Sequence, residues 1–173
     1  MSKCLIVVDY QNDFVDGTLG FPGAELLEKG IIAKINEYRE SADTVLFTFD
    51  THYDDYLSTL EGKNLPVTHC LEGSQGHKLY GGVADAIKDT DKVFIKNTFG
   101  SDELFLYLKE HKFESIELVG LVSNICVIAN AVLAKTAQPE TPVIVDSSLT
   151  ASFDSYLHEA ALKVMRSLQI SLL

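Results

Sequence analysis

The stretch "SIELVGLVSNICVIANAVLAKTA", residues 115–137, contains a strand, a turn and a helix in succession. Its first six residues form an apolar run of strand length, and residues 125–137, rich in Ala, Val and Ile, are typical of a helix. The polar residues Ser123 and Asn124 separate the two, so Cys126 lies where the helix begins. A strand–turn–helix unit of this kind predicts a parallel sheet covered by helices.

The same alternation runs along the whole chain. Apolar strand patterns occupy 4–9, 44–50, 92–96, 115–120, 142–146 and 168–173, and helical patterns occupy 24–41, 82–89, 102–111, 125–137 and 154–167. The near-continuous hydrophobicity of the strands suits a sheet that is covered on both faces. We therefore predict an α/β fold, a Rossmann-like three-layer α/β/α sandwich with a six-stranded parallel sheet, in a single domain over residues 1–173.

The composition argues against several classes of partner. A net charge of −11 over 173 residues, without a local Lys/Arg cluster, disfavours binding to nucleic acid or to an anionic membrane. No apolar run is long enough to span a bilayer. The three cysteines, Cys4, Cys70 and Cys126, are widely spaced and odd in number, which predicts reduced thiols in a cytoplasmic protein.

Ionisable residues end four of the predicted strands. In open α/β sheets, ligands bind beyond the carboxyl ends of the strands, near the point where the strand order reverses. This edge is therefore where we expect the chemistry. The residues predicted to lie there are Asp9, Asp50, Lys96 and Asp146, with Cys126 just after the fourth strand.

Cys126 is the first candidate for catalysis. If Ser123 or Asn124 caps the helix, the thiol lies in the first turn, where backbone N–H groups lower a thiol's pKa and favour the nucleophilic thiolate. The same N–H groups could stabilise the negative charge on a carbonyl oxygen under attack. Taken alone, however, a free cysteine is more often a small buried core residue.

Asp9 and Lys96 are the candidate partners of this thiol. Asp9 could act as a general base, and Lys96 could hold a thiolate and a carboxylate close together. A solvated turn acid and a lysine that extends from a strand end are the ordinary alternatives. The prediction rests on all three residues falling at the same edge of one sheet.

The connection 51–81 is unusually long and polar, and loops of this length tend to carry function. Asp50 and His52 are two apart, so in an extended chain both side chains point to the same side. With His69 and Glu61 they offer ligands for Zn²⁺, Mn²⁺ or Fe²⁺, although scattered histidines in an acidic loop are an equally good reading. We predict that 51–81 is a metal- and substrate-binding loop.

Four motifs occur in order on these elements. They are D-x-Q-x-D-F at Asp9, Gln11, Asp13 and Phe14, D-x-H at Asp50 and His52 with the later His69, the strand-ending Lys96, and the G-[VL]-x-[ST]-[DN]-x-C-V turn at 120–127. Together they make the chain resemble, from end to end, the isochorismatase-like cysteine hydrolases, and within them the nicotinamidases. The resemblance implies the isochorismatase-like hydrolase fold and the hydrolysis of nicotinamide to nicotinate and ammonia through a cysteine thioester.

The resemblance also implies roles for single residues. It implies a catalytic triad of Cys126, Asp9 and Lys96. It further implies a non-proline cis peptide before Val122, with the backbone N–H groups of Val122 and Cys126 forming the oxyanion hole.

A metal site and a substrate pocket are implied in the same way. The metal, zinc above all with manganese or iron as alternatives, would be bound by Asp50, His52 and His69, with Glu61 added in some members. The substrate ring would lie between residues at the positions of Phe14, Leu65 and Phe99. Family members often form dimers or tetramers, so we expect a homo-oligomer that acts on a small amide.

Two departures from the family pattern concern the substrate. Asn124 stands where nicotinamidases usually have Asp, and Leu65 stands where an aromatic residue is common. The same triad could therefore hydrolyse another small amide or a vinyl ether. A metal- or thiol-sensing binding module without catalysis is the alternative from a different class.

Overall fold

The six strands form one parallel sheet in the order β3-β2-β1-β4-β5-β6. The computed structural model describes all residues from Met1 to Leu173. The predicted six-stranded parallel sheet is confirmed. Its strands are β1 Cys4–Val8, β2 Thr44–Asp50, β3 Lys92–Lys96, β4 Ile116–Leu121, β5 Val143–Ala151 and β6 Ser171–Leu172.

Helices connect the strands and cover the sheet on both sides. They are α1 Asn12–Val15, α2 Glu28–Glu40, α3 Leu60–Asn64, α4 Gly81–Ala86, α5 Asp102–Glu110, α6 Ile128–Ala137 and α7 Ser155–Ser167, with short 3₁₀ turns at Ala24–Leu27 and Tyr56–Ser58. None of the helices combines the length and the apolar character that crossing a bilayer requires.

The two faces of the sheet form two separate hydrophobic clusters. Alternate residues of a strand point to opposite faces, so in β1 Ile6 belongs to one cluster and Val7 to the other. The first cluster includes Leu104 of α5 and Met165 of α7, and the second includes Ile31 of α2. Helices therefore pack on both faces, which is the three-layer α/β/α sandwich that the strand hydrophobicity predicts.

The strand order reverses between β1 and β4, which are neighbours at the centre of the sheet. Val8 pairs with Gly120 there, and Gly120 has a φ of 112°. A Cβ atom at Gly120 would lie 2.1 Å from Val8 O, so only glycine allows this close approach. The two chain segments that leave β1 and β4 consequently start side by side at the reversal point, where ligands bind in folds of this kind.

Strand β5 is longer than the sequence pattern predicts. It continues to Ala151, past a register shift against β4, so Asp146 lies inside the strand rather than at its end. Asp146 Oδ2 is 3.6 Å from Lys34 Nζ of α2. The prediction that Asp146 belongs to the functional edge is therefore wrong, because β5 continues beyond this polar residue.

The turn after β4 also differs from the prediction. A π-helical turn, Ser123–Val127, precedes α6, and Val122 occupies the capping position without a side-chain hydrogen bond. The Ser123 hydroxyl instead lies 2.9 Å from His158 Nδ1 of α7. Capping by Ser123 or Asn124 is thus wrong, although Cys126 does lie in the first helical turn.

Candidate active site

Asp9, Lys96 and Cys126 meet at the point where the strand order reverses. Lys96 Nζ lies 2.6 Å from Asp9 Oδ2 and 3.5 Å from Cys126 Sγ. All three residues are buried. The structure thus brings together an ammonium, a carboxylate and a thiol that are up to 117 residues apart in the chain (126 − 9).

Local backbone geometry places each of these groups. Asp9 follows β1 with a φ of 44°, and its Oδ1 accepts a hydrogen bond from Thr48 Oγ1 at 2.7 Å. Lys96, the last residue of β3, also donates to Thr98 O at 2.9 Å. Thr48 was not among the sequence candidates, because a buried threonine in a strand carries no local signal of such a contact.

The charges at this point depend on burial and on each other. Burial raises the pKa of Asp9, an effect that the nearby Lys96 ammonium opposes. Burial alone would lower the pKa of Lys96, but Asp9 and Cys126 raise it well above its usual value, so the ammonium stays charged. The pKa of Cys126 is raised well above that of an ordinary thiol, chiefly by burial, against the influence of Lys96.

This last result corrects the prediction of a thiolate. The helix position predicts a lowered pKa for Cys126, whereas burial beside the Asp9 carboxylate raises it. Burial and the nearby Asp9 side chain thus both oppose ionisation of the thiol, whereas Lys96 favours it. The pair of Cys126 and Asp9 can form the thiolate during attack, by proton transfer to Asp9, rather than beforehand.

Asp50, His52 and His69 form a buried cluster beside these residues, as the sequence predicts. Each offers one ligand atom, and these atoms all lie within 4.8 Å of one another. Asp50 Oδ2 is 3.1 Å from His52 Nε2 and 3.3 Å from His69 Nε2. His69 Nδ1 lies 2.7 Å from Val67 O, a contact that fixes the ring and leaves Nε2 facing the cluster.

The chemistry of this donor set fits a divalent transition metal. Two imidazoles and one carboxylate leave coordination positions open, a combination suited to Zn²⁺, Mn²⁺ or Fe²⁺. Glu61 Oε1 lies 3.6 Å from His52 Nε2 and 3.8 Å from His69 Nε2, close enough to add a fourth protein ligand, a second carboxylate oxygen. Although burial opposes ionisation of Asp50, the hydrogen bonds of the two histidines outweigh it and lower the pKa of that carboxyl group.

A cavity of about 520 Å³ opens onto both groups of residues. Its wall includes Cys126 and the predicted oxyanion residue Val122. It also includes all three residues predicted to contact the substrate ring, and three apolar residues that were not predicted. The predicted contacts are Phe14, Leu65 and Phe99, and the additional ones are Leu19, Ile125 and Phe153.

The sequence analysis did not predict Leu19, Ile125 and Phe153 as cavity residues, for reasons that differ from one to the next. Phe153 follows β5 at the functional edge, but the predicted end of that strand at 146 left it outside the site. Leu19 lies in the connection after α1, where the pattern of the sequence is irregular. Ile125 directly precedes Cys126 and could have been inferred from the turn motif.

The backbone next to Cys126 also matches the prediction. The peptide bond between Leu121 and Val122 is cis. The N–H of Val122 donates to no backbone carbonyl, while its carbonyl oxygen accepts from Ile125 and Val127. Val122 and Cys126 both line the cavity.

The isochorismatase domain matches residues 3–172. A Bacillus subtilis isochorismatase family protein, PncA, is 30% identical over 174 residues, which cover 94% of this chain and 93% of that protein. The structure of a Streptococcus mutans pyrazinamidase/nicotinamidase is similar with a TM-score of 0.88 and 27% identity, covering 99% of this chain and 100% of that one. A Pyrococcus horikoshii pyrazinamidase, solved in complex with zinc, shares the fold with a TM-score of 0.87 at 21% identity, covering 100% and 99%. The chain therefore belongs to the isochorismatase family.

Proposed function

We propose that this protein is a metal-containing amidohydrolase that converts nicotinamide to nicotinate and ammonia through a thioester on Cys126. The meeting of Cys126 with Asp9 and Lys96 in the wall of an apolar cavity carries the proposal. Similarity to a pyrazinamidase/nicotinamidase of Streptococcus mutans supports this choice of substrate.

In the first half of the reaction, Asp9 accepts the proton of Cys126 as the sulfur attacks the carboxamide carbon. A C–S bond forms, and the carbonyl oxygen takes the negative charge in front of the N–H groups of Val122 and Cys126. Asp9 then returns the proton to the amide nitrogen, the C–N bond breaks, and ammonia leaves.

In the second half, Asp9 removes a proton from a water molecule that attacks the thioester carbon. The C–S bond breaks, the sulfur of Cys126 regains a proton, and nicotinate is released. Throughout, the Lys96 ammonium keeps Asp9 and the sulfur within its reach, since it lies 2.6 Å from the carboxylate and 3.5 Å from the sulfur.

Asp50, His52 and His69, with Glu61, would hold the metal. When bound, the metal supplies a Lewis acid that the ring nitrogen of the substrate can coordinate. The substrate ring would be held by Phe14, Leu65 and Phe99. Phe14 is buried, with its ring centroid 5.7 Å from that of His69, whereas Leu65 and Phe99 are more exposed.

A second candidate is hydrolysis of a different small amide by the same three residues. The observation that favours it is Leu65, which is exposed in the cavity wall and offers no aromatic face to a ring. Assaying nicotinamide beside a panel of aliphatic and aromatic carboxamides for ammonia release distinguishes the two.

The decisive experiment compares the wild-type protein with Cys126→Ala. We expect ammonia release from nicotinamide by the wild type, and trapping of a nicotinoyl thioester that mass spectrometry assigns to Cys126. A Cys126→Ala variant that releases ammonia at the wild-type rate would end the proposal. A wild type that binds zinc but hydrolyses no amide would instead favour a metal- or thiol-sensing binding module.

We also propose that residues 1–173 act as one hydrolase domain, with 51–81 as its metal- and substrate-binding loop. We propose further that the protein works in the cytoplasm as a homo-oligomer, a dimer or a tetramer. All three cysteines are free thiols, in keeping with a reducing compartment. Exposed apolar side chains on α7, among them Tyr156 and Val164, support an association surface. Light scattering coupled to size-exclusion chromatography tests the oligomeric state.

A further inference from the structure

Residues 10–13, directly after Asp9, lie against the loop 51–81, and no step of the mechanism uses them. The N–H of Asn12 donates to Lys78 O at 2.9 Å, near the end of that loop. Two side chains in this segment, those of Gln11 and Asp13, point to the parts of the chain that carry the metal-binding residues.

Gln11 is fully buried and bonds to the main chain of Asp50 on both sides of its amide group. Gln11 Oε1 accepts from Asp50 N at 2.8 Å, and Gln11 Nε2 donates to Asp50 O at 2.9 Å. The same Nε2 also donates to His77 O at 2.8 Å. Gln11 thereby fixes the main chain of Asp50 where it leaves β2.

Asp13 performs the equivalent task beside His69. Its Oδ2 accepts from the N–H of Cys70, the residue after His69, at 2.7 Å, and its Oδ1 accepts from Thr18 N at 3.3 Å. A Cβ atom at Gly76 would lie 2.0 Å from Asp13 Oδ2, so the loop backbone packs directly on this carboxylate. The carboxylate is thus held by backbone donors rather than by a cationic side chain.

We propose that Gln11 and Asp13 are positioning residues for the metal site: Gln11 fixes Asp50, and Asp13 fixes His69, each through the backbone. This inference rests on the proposed metal-dependent function. Groups that orient metal ligands without touching the metal typically change metal affinity by about 10–100-fold when they are removed. The segment that supplies the general base would then also hold two of the three metal ligands in place.

The test measures the zinc dissociation constant of the full chain by competition with a chromogenic chelator, in the absence of substrate. For Gln11→Met, which fills the same space without hydrogen bonds, we expect about 10–100-fold weaker zinc binding. For Asp13→Asn we expect roughly 10-fold weaker binding, because an amide nitrogen would face one of the two backbone N–H donors.

Gln138 provides a matched control. It is also buried, its Nε2 donates to Leu108 O and His111 O at 2.8 Å each, and its Oε1 accepts from Phe113 N at 3.3 Å. Gln138→Met removes a similar set of hydrogen bonds away from the metal-binding residues. We expect it to lower the urea midpoint of unfolding much as Gln11→Met does, while its zinc dissociation constant stays within about twofold of the wild type.

Zinc binding that weakens equally in Gln138→Met and Gln11→Met would overturn the proposal, as would wild-type affinity in Gln11→Met and Asp13→Asn together. If Gln11→Met does not fold, Asp13→Asn decides alone through the His69 side. Ammonia release from nicotinamide by the wild type is measured separately. A protein that hydrolyses nicotinamide but shows no effect of these variants on zinc affinity refutes this inference and leaves the proposed function standing.

Discussion

Lys96 Nζ lies 3.2 Å from Asp50 Oδ1, while Asp50 Oδ2 faces His52 and His69. The same ammonium lies 2.6 Å from Asp9 Oδ2. One buried cation therefore stands between the carboxylate proposed as general base and the carboxylate proposed as metal ligand. The two halves of the site therefore share the charge of Lys96.

This arrangement predicts a large effect of Lys96→Met. Removing the cation leaves two carboxylates, Asp9 and Asp50, buried without their shared partner. We expect the free energy of unfolding to fall by about 3–5 kcal/mol and the rate of nicotinamide hydrolysis to fall by a factor on the order of 100 or more. Urea unfolding and ammonia release measure the two quantities. Lys92→Met, at an exposed position in the same strand, is the control. It should leave hydrolysis unchanged and lower the free energy of unfolding by about 1 kcal/mol at most, through loss of the contacts of Lys92 with the rings of Phe94 and Tyr107.

Removing the metal should separate binding of the substrate from reactivity of the thiol. After treatment with a chelator, we expect nicotinamide turnover to be lost and to return when Zn²⁺ is added. Alkylation of Cys126 by iodoacetamide in the metal-free protein should continue, because Asp9 and Lys96 are still present. Full turnover by a protein shown by elemental analysis to be metal-free would contradict the role given to Asp50, His52 and His69.

The three thiols should differ in reactivity. Cys4 and Cys70 are completely buried and their pKa values are raised by burial, whereas Cys126 lines the cavity. We expect iodoacetamide to label Cys126 first. Because the pKa of Cys126 is also raised, the thiolate fraction grows only at high pH, so the labelling rate should keep rising above a pH of about 8.5, where an ordinary thiol is half ionised. Mass spectrometry of the labelled peptides measures the rate at each cysteine. A labelling rate of Cys126 that reaches a plateau near pH 7 would instead show a preformed thiolate.

Leu65 should influence the choice of substrate. Leu65→Phe restores an aromatic face to the cavity wall, and stacking contributes about 0.5–1.5 kcal/mol. We expect the KM for nicotinamide to fall by roughly 2–10-fold, with less change for an aliphatic amide that has no ring to stack. Leu60→Phe, which changes an exposed leucine that does not line this cavity, is the control. Equal changes in KM for aromatic and aliphatic amides would argue against a ring-stacking role.

Gly120 should tolerate no side chain. In Gly120→Ala the new Cβ would lie 2.1 Å from Val8 O at a φ of 112°. We therefore expect the free energy of unfolding to fall by about 2–4 kcal/mol. Gly23→Ala is the matched control, because Gly23 has a φ of 98° but no atom within 4 Å of the added Cβ. In the same urea experiment, Gly23→Ala should lower the free energy of unfolding by roughly 1–2 kcal/mol, because alanine disfavours a positive φ.

The sequence by itself determined the order of the six strands and of the five predicted helical segments, because continuous apolar runs and amphipathic patterns are local properties of the chain. It did not predict the short helices α1 and α3, of four and five residues, which are too short to show a helical period. It also predicted that Asp50 and Lys96 end their strands and that Asp9 lies at the end of the first, where it directly follows β1, so that the three meet at one edge. Its errors lie where the pattern is irregular. The pattern predicts a strand end at the polar Asp146, whereas a salt bridge with Lys34 allows that residue to lie inside β5.

Only the tertiary structure decided how these groups affect one another. The pKa of Cys126 rises because the folded chain buries the thiol beside a carboxylate, which no local pattern records. The hydrogen bonds from Gln11 Nε2 to Asp50 O and from Cys70 N to Asp13 Oδ2 join residues 39 and 57 positions apart. Contacts over such distances depend on how the strands are ordered in the sheet, so they follow from the packing of the whole chain rather than from any one segment.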